Sequence, residues 1–260
     1  MNTRILDEIV NQDYAQIQNN IELFLRDSIT KTGASGLVFG LSGGIDSAVI
    51  AHICAKSFKD KSLGIIMPDS KVSPKTETED ALYLVDRLGL DYKLIDINQI
   101  HLQFANILEP EEKSLGNLRA RIRSAILYYH ANLRNYLVIG SSDKSEQQIG
   151  YFTKFGDGSA DILPIVSLYK TQIRSLAKFL GVKESIIEKK SSPHLWKGHT
   201  AEDEIGAAYE EIDSILYCIV DKNMSVGDTY KATEINKDKI EKIHQLYKKS
   251  EHKRIMPPRL

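Results

Sequence analysis

The stretch FGLSGGIDSAVI, Phe39 to Ile50, decides how the rest of the chain is read. An apolar run, LVFGL (37 to 41), leads into it, and the helix-like DSAVIAHICAKSF leads out. A strand that passes through Gly-rich backbone into a helix brings main-chain N–H groups and the positive helix end to one point, which suits a phosphate oxyanion. Gly43 and Gly44 let that backbone approach closely, and Ser42 and Ser47 can add hydroxyl donors; Gly40, Leu41 and Ile45 complete the loop. The loop lacks the Lys-Ser/Thr ending of the common nucleotide loop, so the lysine clamp for cleavage between β- and γ-phosphate is missing. Asp46 stands there instead. A carboxylate beside phosphates is repulsive unless a hard cation lies between them, so Asp46 points to Mg²⁺ shared with phosphate oxygens. The helix dipole alone would favour an aspartate in a first turn. A plain turn, however, needs neither adjacent glycines nor both serines.

Working outward, further short runs rich in Val, Ile and Leu read as buried strands: SLGIIMP (62 to 68), YKLIDI (92 to 97) and YLVIG (136 to 140). Amphipathic segments lie between them: PKTETEDALYLVDRLG, punctuated by Pro74 and Gly89, and SLGNLRARIRSAILYYHANLRN. This alternation predicts an α/β fold, a doubly wound parallel sheet with helices on both faces. YAQIQNNIELFLRDSIT precedes the first strand, and YKTQIRSLAKFLG, IGAAYEEIDSILYCIV and NKDKIEKIHQLYKKS follow the last, as helical N- and C-terminal extensions. Without an internal repeat or low-complexity linker, residues 1 to 260 are expected to form a single domain.

Composition narrows the partners. The 260 residues are 42% hydrophobic, enough to bury a sizeable core. Balanced charge, 34 basic against 35 acidic residues, gives no general reason to expect nucleic acid or a membrane. The opening MNTRILDEIVNQDY lacks a basic segment followed by an apolar core, and no apolar run approaches bilayer length, so a cytoplasmic protein is expected. Cys54 and Cys218 lie far apart within helical patterns and read as buried thiols. The histidines form no metal-ligand cluster at short spacing.

SGGIDS resembles the pyrophosphate-binding loop of the N-type ATP pyrophosphatases, which cut ATP between the α- and β-phosphates. GNLRARIR (116 to 123), GSSDKSE (140 to 146), GYFTKFGDGSADILPI (150 to 165), LYKTQIRSLA (168 to 177), SSPHLWKGHTAEDEIG (191 to 206) and HKR (252 to 254) resemble, in order and spacing, the motifs of the ammonia-dependent NAD synthetases. The resemblance spans residues 40 to 254 and implies an adenine-nucleotide alpha-hydrolase-like fold. It implies amidation of deamido-NAD with ammonia through an acyl-adenylate, with ATP as co-substrate and NAD, AMP and pyrophosphate as products. It also implies a homodimer formed through the helix at 114 to 134. Alternatives are another N-type ATP pyrophosphatase, either an adenylate-forming amidotransferase or a tRNA-thiolating enzyme, or an ATP-binding module without turnover. A thiolating enzyme should carry a reactive cysteine or a basic face, and neither is evident.

Residue by residue, the resemblance puts Glu146 beside Asp46 on Mg²⁺ and puts Ser141, Lys170 and Ser192 on ATP. Arg121, Lys154, Asp161, His252 and Lys253 fall to deamido-NAD, and Asp157 lies near the reacting carboxylate. Taken alone, Arg119, Arg121 and Arg123 read as a solvated helix face, Lys170 as a solvated helical lysine, Ser142 as a helix cap and HKR as a frayed tail. YFTKFGDGSAD, with Tyr151, Phe152 and Phe155, is costly for a plain surface loop. SSPHLWKGHTAEDE reads as a lid carrying Trp196. Three departures from the pattern stand out: Asp143 where many members have asparagine, Pro193 for a small residue, and Ala201 where an aspartate is usual. The last leaves Glu202, Asp157 or water as proton acceptor.

Overall fold

The computed structural model describes residues 2–192 and 200–256. Its elements begin with α1 (Arg4–Val10), α2 (Tyr14–Thr32), β1 (Gly36–Gly40), α3 (Ile45–Ser57), β2 (Ser62–Ile66), α4 (Lys75–Leu88) and β3 (Asp91–Leu94). They continue through α5 (Asn98–Ala105), α6 (Glu112–Arg134), β4 (Tyr136–Ile139), α7 (Lys144–Ile149), α8 (Lys170–Leu180) and α9 (Glu184–Ile187). The last five are α10 (Ala201–Ile205), α11 (Tyr209–Leu216), α12 (Val226–Thr233), α13 (Lys237–Lys249) and α14 (Glu251–Arg254). The four strands form one parallel sheet in the order β3-β2-β1-β4, with Val38 opposite Leu63 on one side and Val138 on the other.

Alternation along β1 sends its side chains to two different cores. Leu37 and Phe39 pack with Leu25, Ile50, Leu84 and Ile173 of α2, α3, α4 and α8. Val38 packs with Leu63, Ile65 and Val138 against Ile122 and Ala131 of α6. The sheet is thus covered on both faces, as the alternating sequence predicts. A third apolar cluster, including Ile9, Ile149, Ile205, Ile212 and Ile243, joins α1, α7, α10, α11 and α13. The helical extensions therefore back α7 directly.

The winding positions the site. β2 and β3 lie on one side of β1 and β4 on the other, so the chain changes direction between β1 and β4. The loops that leave these two strands, 41–44 and 140–143, open side by side at that switch point.

Several boundaries differ from the sequence reading. YKLIDI does not form a buried strand: β3 is the exposed edge of the sheet, bearing Asp91 and Lys93, and only Ile97 beyond it is buried. Edge position explains its charge. IGAAYEEIDSILYCIV is not one helix, because Gly206 ends α10 with φ +80° and α11 starts afresh at Tyr209, running into a π-helical turn at Tyr217–Asp221. Pro74 precedes α4 as its cap rather than sitting in the first turn. The cap of α7 is Asp143, whose carboxylate accepts from the Glu146 N–H at 2.8 Å, and not Ser142. HKR is helical, as α14. The lid residues Pro193 and Trp196 lie outside the described residues.

Gly36 shows how tightly β1 is held. A Cβ there would run into the Lys61 carbonyl oxygen and the Tyr136 ring, and that carbonyl cannot retreat without disturbing the β1–β2 register. Gly36→Ala is expected to cost about 1–3 kcal/mol, lowering Tm by roughly 2–10 °C. Thermal unfolding followed by circular dichroism checks this, and an unchanged Tm would contradict it.

Candidate active site

The loop after β1 is organised by its own hydroxyls. The Gly44 N–H donates to Ser42 Oγ at 3.2 Å, the Ser42 N–H donates to Ser47 Oγ at 3.2 Å, and Ser47 Oγ donates to the Gly44 carbonyl at 3.0 Å. Gly43 has φ +83°, and a Cβ on it would strike the Glu77 carbonyl oxygen, so only glycine fits this turn beside the start of α4. Gly44 then caps α3, with Asp46 in its first turn. Lys189 reaches the same loop, donating to the Gly43 carbonyl at 3.3 Å while paired with Asp80 at 2.6 Å and Glu77 at 3.1 Å.

Next to the loop lies a dense charge cluster. The Lys170 side chain is 0% exposed, and its Nζ lies 2.8 Å from Asp46, 2.7 Å from Asp143 and 3.0 Å from Glu146. The reading of Lys170 as a solvated lysine fails; it is the most enclosed cation of the site. Burial alone would lower its pKa, but the three carboxylates outweigh that and hold it well above the usual lysine value. Burial, opposed by Lys170 and reinforced by Asp46, raises Asp143; burial and the Asp143 charge push Glu146 well up. Asp143 supplies a third carboxylate that the sequence reading treated only as a variation. One oxygen each from Asp46, Asp143 and Glu146 fall within 4.8 Å of one another. Asp143 Oδ2 is buried and faces the Lys170 ammonium at 2.7 Å. Three hard oxygen donors around one cation position fit a divalent ion such as Mg²⁺.

A second group gathers around the loop that follows α7. The Arg121 guanidinium donates to the Lys154 carbonyl at 3.2 Å, and Lys154 Nζ donates to the His252 carbonyl at 2.8 Å. Lys253 Nζ donates to the Gly150 and Phe152 carbonyls at 2.7 and 2.8 Å. Thus α14 folds back onto this loop, bringing Arg121, Lys154, His252 and Lys253 together. Asp157 accepts from the Thr153 N–H at 2.9 Å, and exposed Phe155 is held at φ +62°. Asp161 is tied to β4, accepting from the Val138 N–H at 2.7 Å and from the Tyr128 hydroxyl at 3.3 Å. Ser141 is half-buried at the end of β4, and Ser192 is half-buried at the edge of the described residues.

The three arginines of α6 divide by helical phase. Arg119 pairs at 2.6 Å with fully buried Asp69, and Arg123 donates to the Met67 carbonyl at 2.9 Å, with burial lowering its pKa to about 10. Both brace the end of β2, so the solvated-face reading does not hold for them. Arg121 is exposed. Ala201 lies within the apolar cluster, while Glu202 is drawn to Arg174 at 3.9 Å and to the Tyr209 N–H at 3.4 Å.

A Gly-rich strand-to-helix loop and a carboxylate cluster at the switch point of a parallel sheet define an α/β protein of the adenine-nucleotide alpha-hydrolase-like class. The chain belongs to the NAD synthase family, whose sequence profile matches residues 17–257. It is 45% identical over 256 residues to the NH(3)-dependent NAD(+) synthetase of Hyperthermus butylicus, covering 97% of this chain and 93% of the relative. To that of Methanocaldococcus jannaschii it is 44% identical, covering 94% and 95%. Among solved structures, the NH3-dependent NAD synthetase from Campylobacter jejuni superposes with a TM-score of 0.82 at 34% identity, covering 96% of this chain and 99% of that one. NMN synthetase from Francisella tularensis does so at 0.85 and 34%, with the same coverage.

Replacing Lys170 tests the charge cluster directly. Lys170→Met leaves three carboxylates uncompensated and is expected to cost about 3–5 kcal/mol, roughly 10 °C in Tm. If the cluster accepts a divalent cation, millimolar Mg²⁺ restores Tm in this variant far more than in the parent. Equal responses of the two proteins in calorimetry would argue against a cation site here.

Proposed function

We propose that this protein is a ligase that amidates deamido-NAD with ammonia at the expense of ATP, giving NAD, AMP and pyrophosphate. The observation that carries the reading is the pairing of the SGGIDS loop with the Asp46–Asp143–Glu146–Lys170 cluster in a chain of this family. The concentrated negative charge of a triphosphate calls for backbone donors, a cation and a buried ammonium together, and this is what the two elements combine.

In the reaction, a nicotinate carboxylate oxygen attacks the α-phosphorus of ATP, and the bond to pyrophosphate breaks. Ammonia then attacks the acyl carbon, the C–O bond to AMP breaks, and the nitrogen loses a proton to form the amide. The loop residues Gly40 to Ser47 cradle the phosphates, with Ser141 and Ser192 as further ATP contacts. Lys170 leaves its carboxylates to meet phosphate charge. Asp46, Glu146 and Asp143 would hold Mg²⁺, which when bound would neutralise charge on the phosphate oxygens. Arg121, Lys154, Asp161, His252 and Lys253 bind the dinucleotide, and Asp157 lies by its carboxylate. Nothing covalent is asked of the protein, whose contribution is placement and the exclusion of water.

The same reading takes residues 1 to 260 as one synthetase domain acting as a cytoplasmic homodimer. The dimer is supported by an open groove of about 470 Å³ on α5 and α6, lined by Ile100, Phe104, Leu118, Ile122 and Tyr129. Tyr129 and Leu133 are 63% and 67% exposed along that face, an apolar stripe that a second copy would cover. The cytoplasmic setting is supported by two free, buried cysteines. Among the described residues no helix is long and apolar enough to cross a membrane.

A second reading has one favouring observation, the similarity to an NMN synthetase. Incubation with ATP, Mg²⁺ and ammonium, with either deamido-NAD or nicotinate mononucleotide as acceptor, separates the two by mass detection. Formation of NAD and AMP is expected; NMN formed in preference would transfer the reading to the mononucleotide, and ADP would refute both. Arg121→Ala is expected to raise KM for deamido-NAD about ten- to 150-fold and that for ATP little, the loss of charge-assisted hydrogen bonds of about 1.5–3 kcal/mol. Sedimentation run alongside separates substrate contact from loss of the dimer, since Arg121 also borders the α5–α6 groove.

A further inference from the structure

Asp213 is a fully buried carboxylate that the reaction outlined above does not use. Its Oδ1 accepts from the Ser145 hydroxyl at 2.5 Å, and its Oδ2 accepts from the Thr171 N–H at 2.9 Å. Ser145 Oγ in turn accepts from the Lys170 N–H at 2.9 Å. One side chain on α11 therefore ties together the residue that precedes Glu146 on α7 and the first two residues of α8, where Lys170 begins the helix. Four residues earlier, on the same face of α11, the fully buried Tyr209 donates to Glu146 Oε1 at 3.4 Å, and its ring lies 5.2 Å from Lys170 Nζ.

The surroundings argue that this carboxylate is more than packing. A carboxylate is costly to bury, and both of its oxygens are committed to donors on α7 and α8. Burial pushes its pKa to about 7, against the hydrogen bonds from Ser145 and Thr171 that favour the charged form. What Asp213 supplies is specific to its position. The α8 N-terminus carries positive partial charge, and Lys170 adds a full positive charge at the same point, an arrangement that repels itself. A carboxylate accepting from the Thr171 N–H and fixing Ser145 beneath the Lys170 N–H offsets that repulsion and sets the backbone from which the ammonium extends.

We propose that Asp213 is a positioning residue for phosphoryl-site chemistry: through Ser145 and the Thr171 N–H it fixes the backbone at the start of α8 from which the Lys170 ammonium extends. This rests on the proposed role of Lys170 at the ATP phosphates. Asp213 acts on the reaction only through that lysine.

The test is a double-mutant cycle of Asp213→Asn and Lys170→Met in the amidation assay, with folding confirmed by circular dichroism at the assay temperature. Asp213→Asn alone is expected to lower kcat about 10- to 100-fold while changing KM for ATP less than about threefold. On the Lys170→Met background the same substitution should change kcat less than about threefold. Full multiplication of the two effects would overturn the proposal, because a merely structural residue damages the enzyme regardless of Lys170. A Lys170→Met enzyme with parental kcat would refute instead the role given to Lys170. Should a member of the cycle not fold, Ser145→Ala decides: it removes the hydroxyl link yet keeps the bond from Thr171. Its kcat is expected to fall about tenfold or more while the protein stays folded at the assay temperature, and parental kcat would end the proposal.

Discussion

One buried ammonium organises this molecule. Lys170 meets Asp46 from α3 and Asp143 and Glu146 from the start of α7, so four groups from three helices converge on one point. Three carboxylates against a single lysine leave the cluster short of positive charge, and helix geometry makes up part of it. Asp46 sits in the first turn of α3 and Asp143 caps α7, both at positive helix ends. What remains is an appetite for a cation, which is how an ATP site can bring metal and triphosphate together.

The surroundings follow from the need to hold that cluster. A parallel sheet brings the ends of β1 and β4 together at the switch point, which delivers Asp46 and Asp143 to adjacent loops. Helix α8 packs on α3 and brings Lys170 across to them. The C-terminal helices look peripheral in the element order, yet their apolar cluster includes Ile149 of α7 and Tyr169 just before Lys170. They fix the two segments whose side chains must meet. A second network, from Arg121 through Lys154 to the His252 carbonyl, closes α14 over the loop that leaves α7. Helix α7 thus runs from the carboxylate cluster at its start to the loop held by this second network at its end.

The order of strands and helices and the Gly-rich strand-to-helix turn were legible in the sequence, because each depends on local rules. Apolar runs of strand length alternate with helical periodicity, and only a loop with Gly43 at positive φ can turn beneath the Glu77 carbonyl. Motif spacing also named Asp46, Glu146 and Lys170 through their resemblance to a family. Tertiary structure alone decided the partners. Asp143 read as a tolerated variant of asparagine, Arg119 and Arg123 as a wet helix face, and Lys170, by itself, as a solvated lysine. Each reading failed for one reason: a charged side chain carries no local sign of whether its counter-charge comes from water or from a residue far along the chain. Lys170 finds Asp46 at a separation of 124 residues, and Arg119 finds Asp69 at 50. Periodicity specifies which face of an element turns inward, but the identity of what it meets there is set only when the sheet is wound.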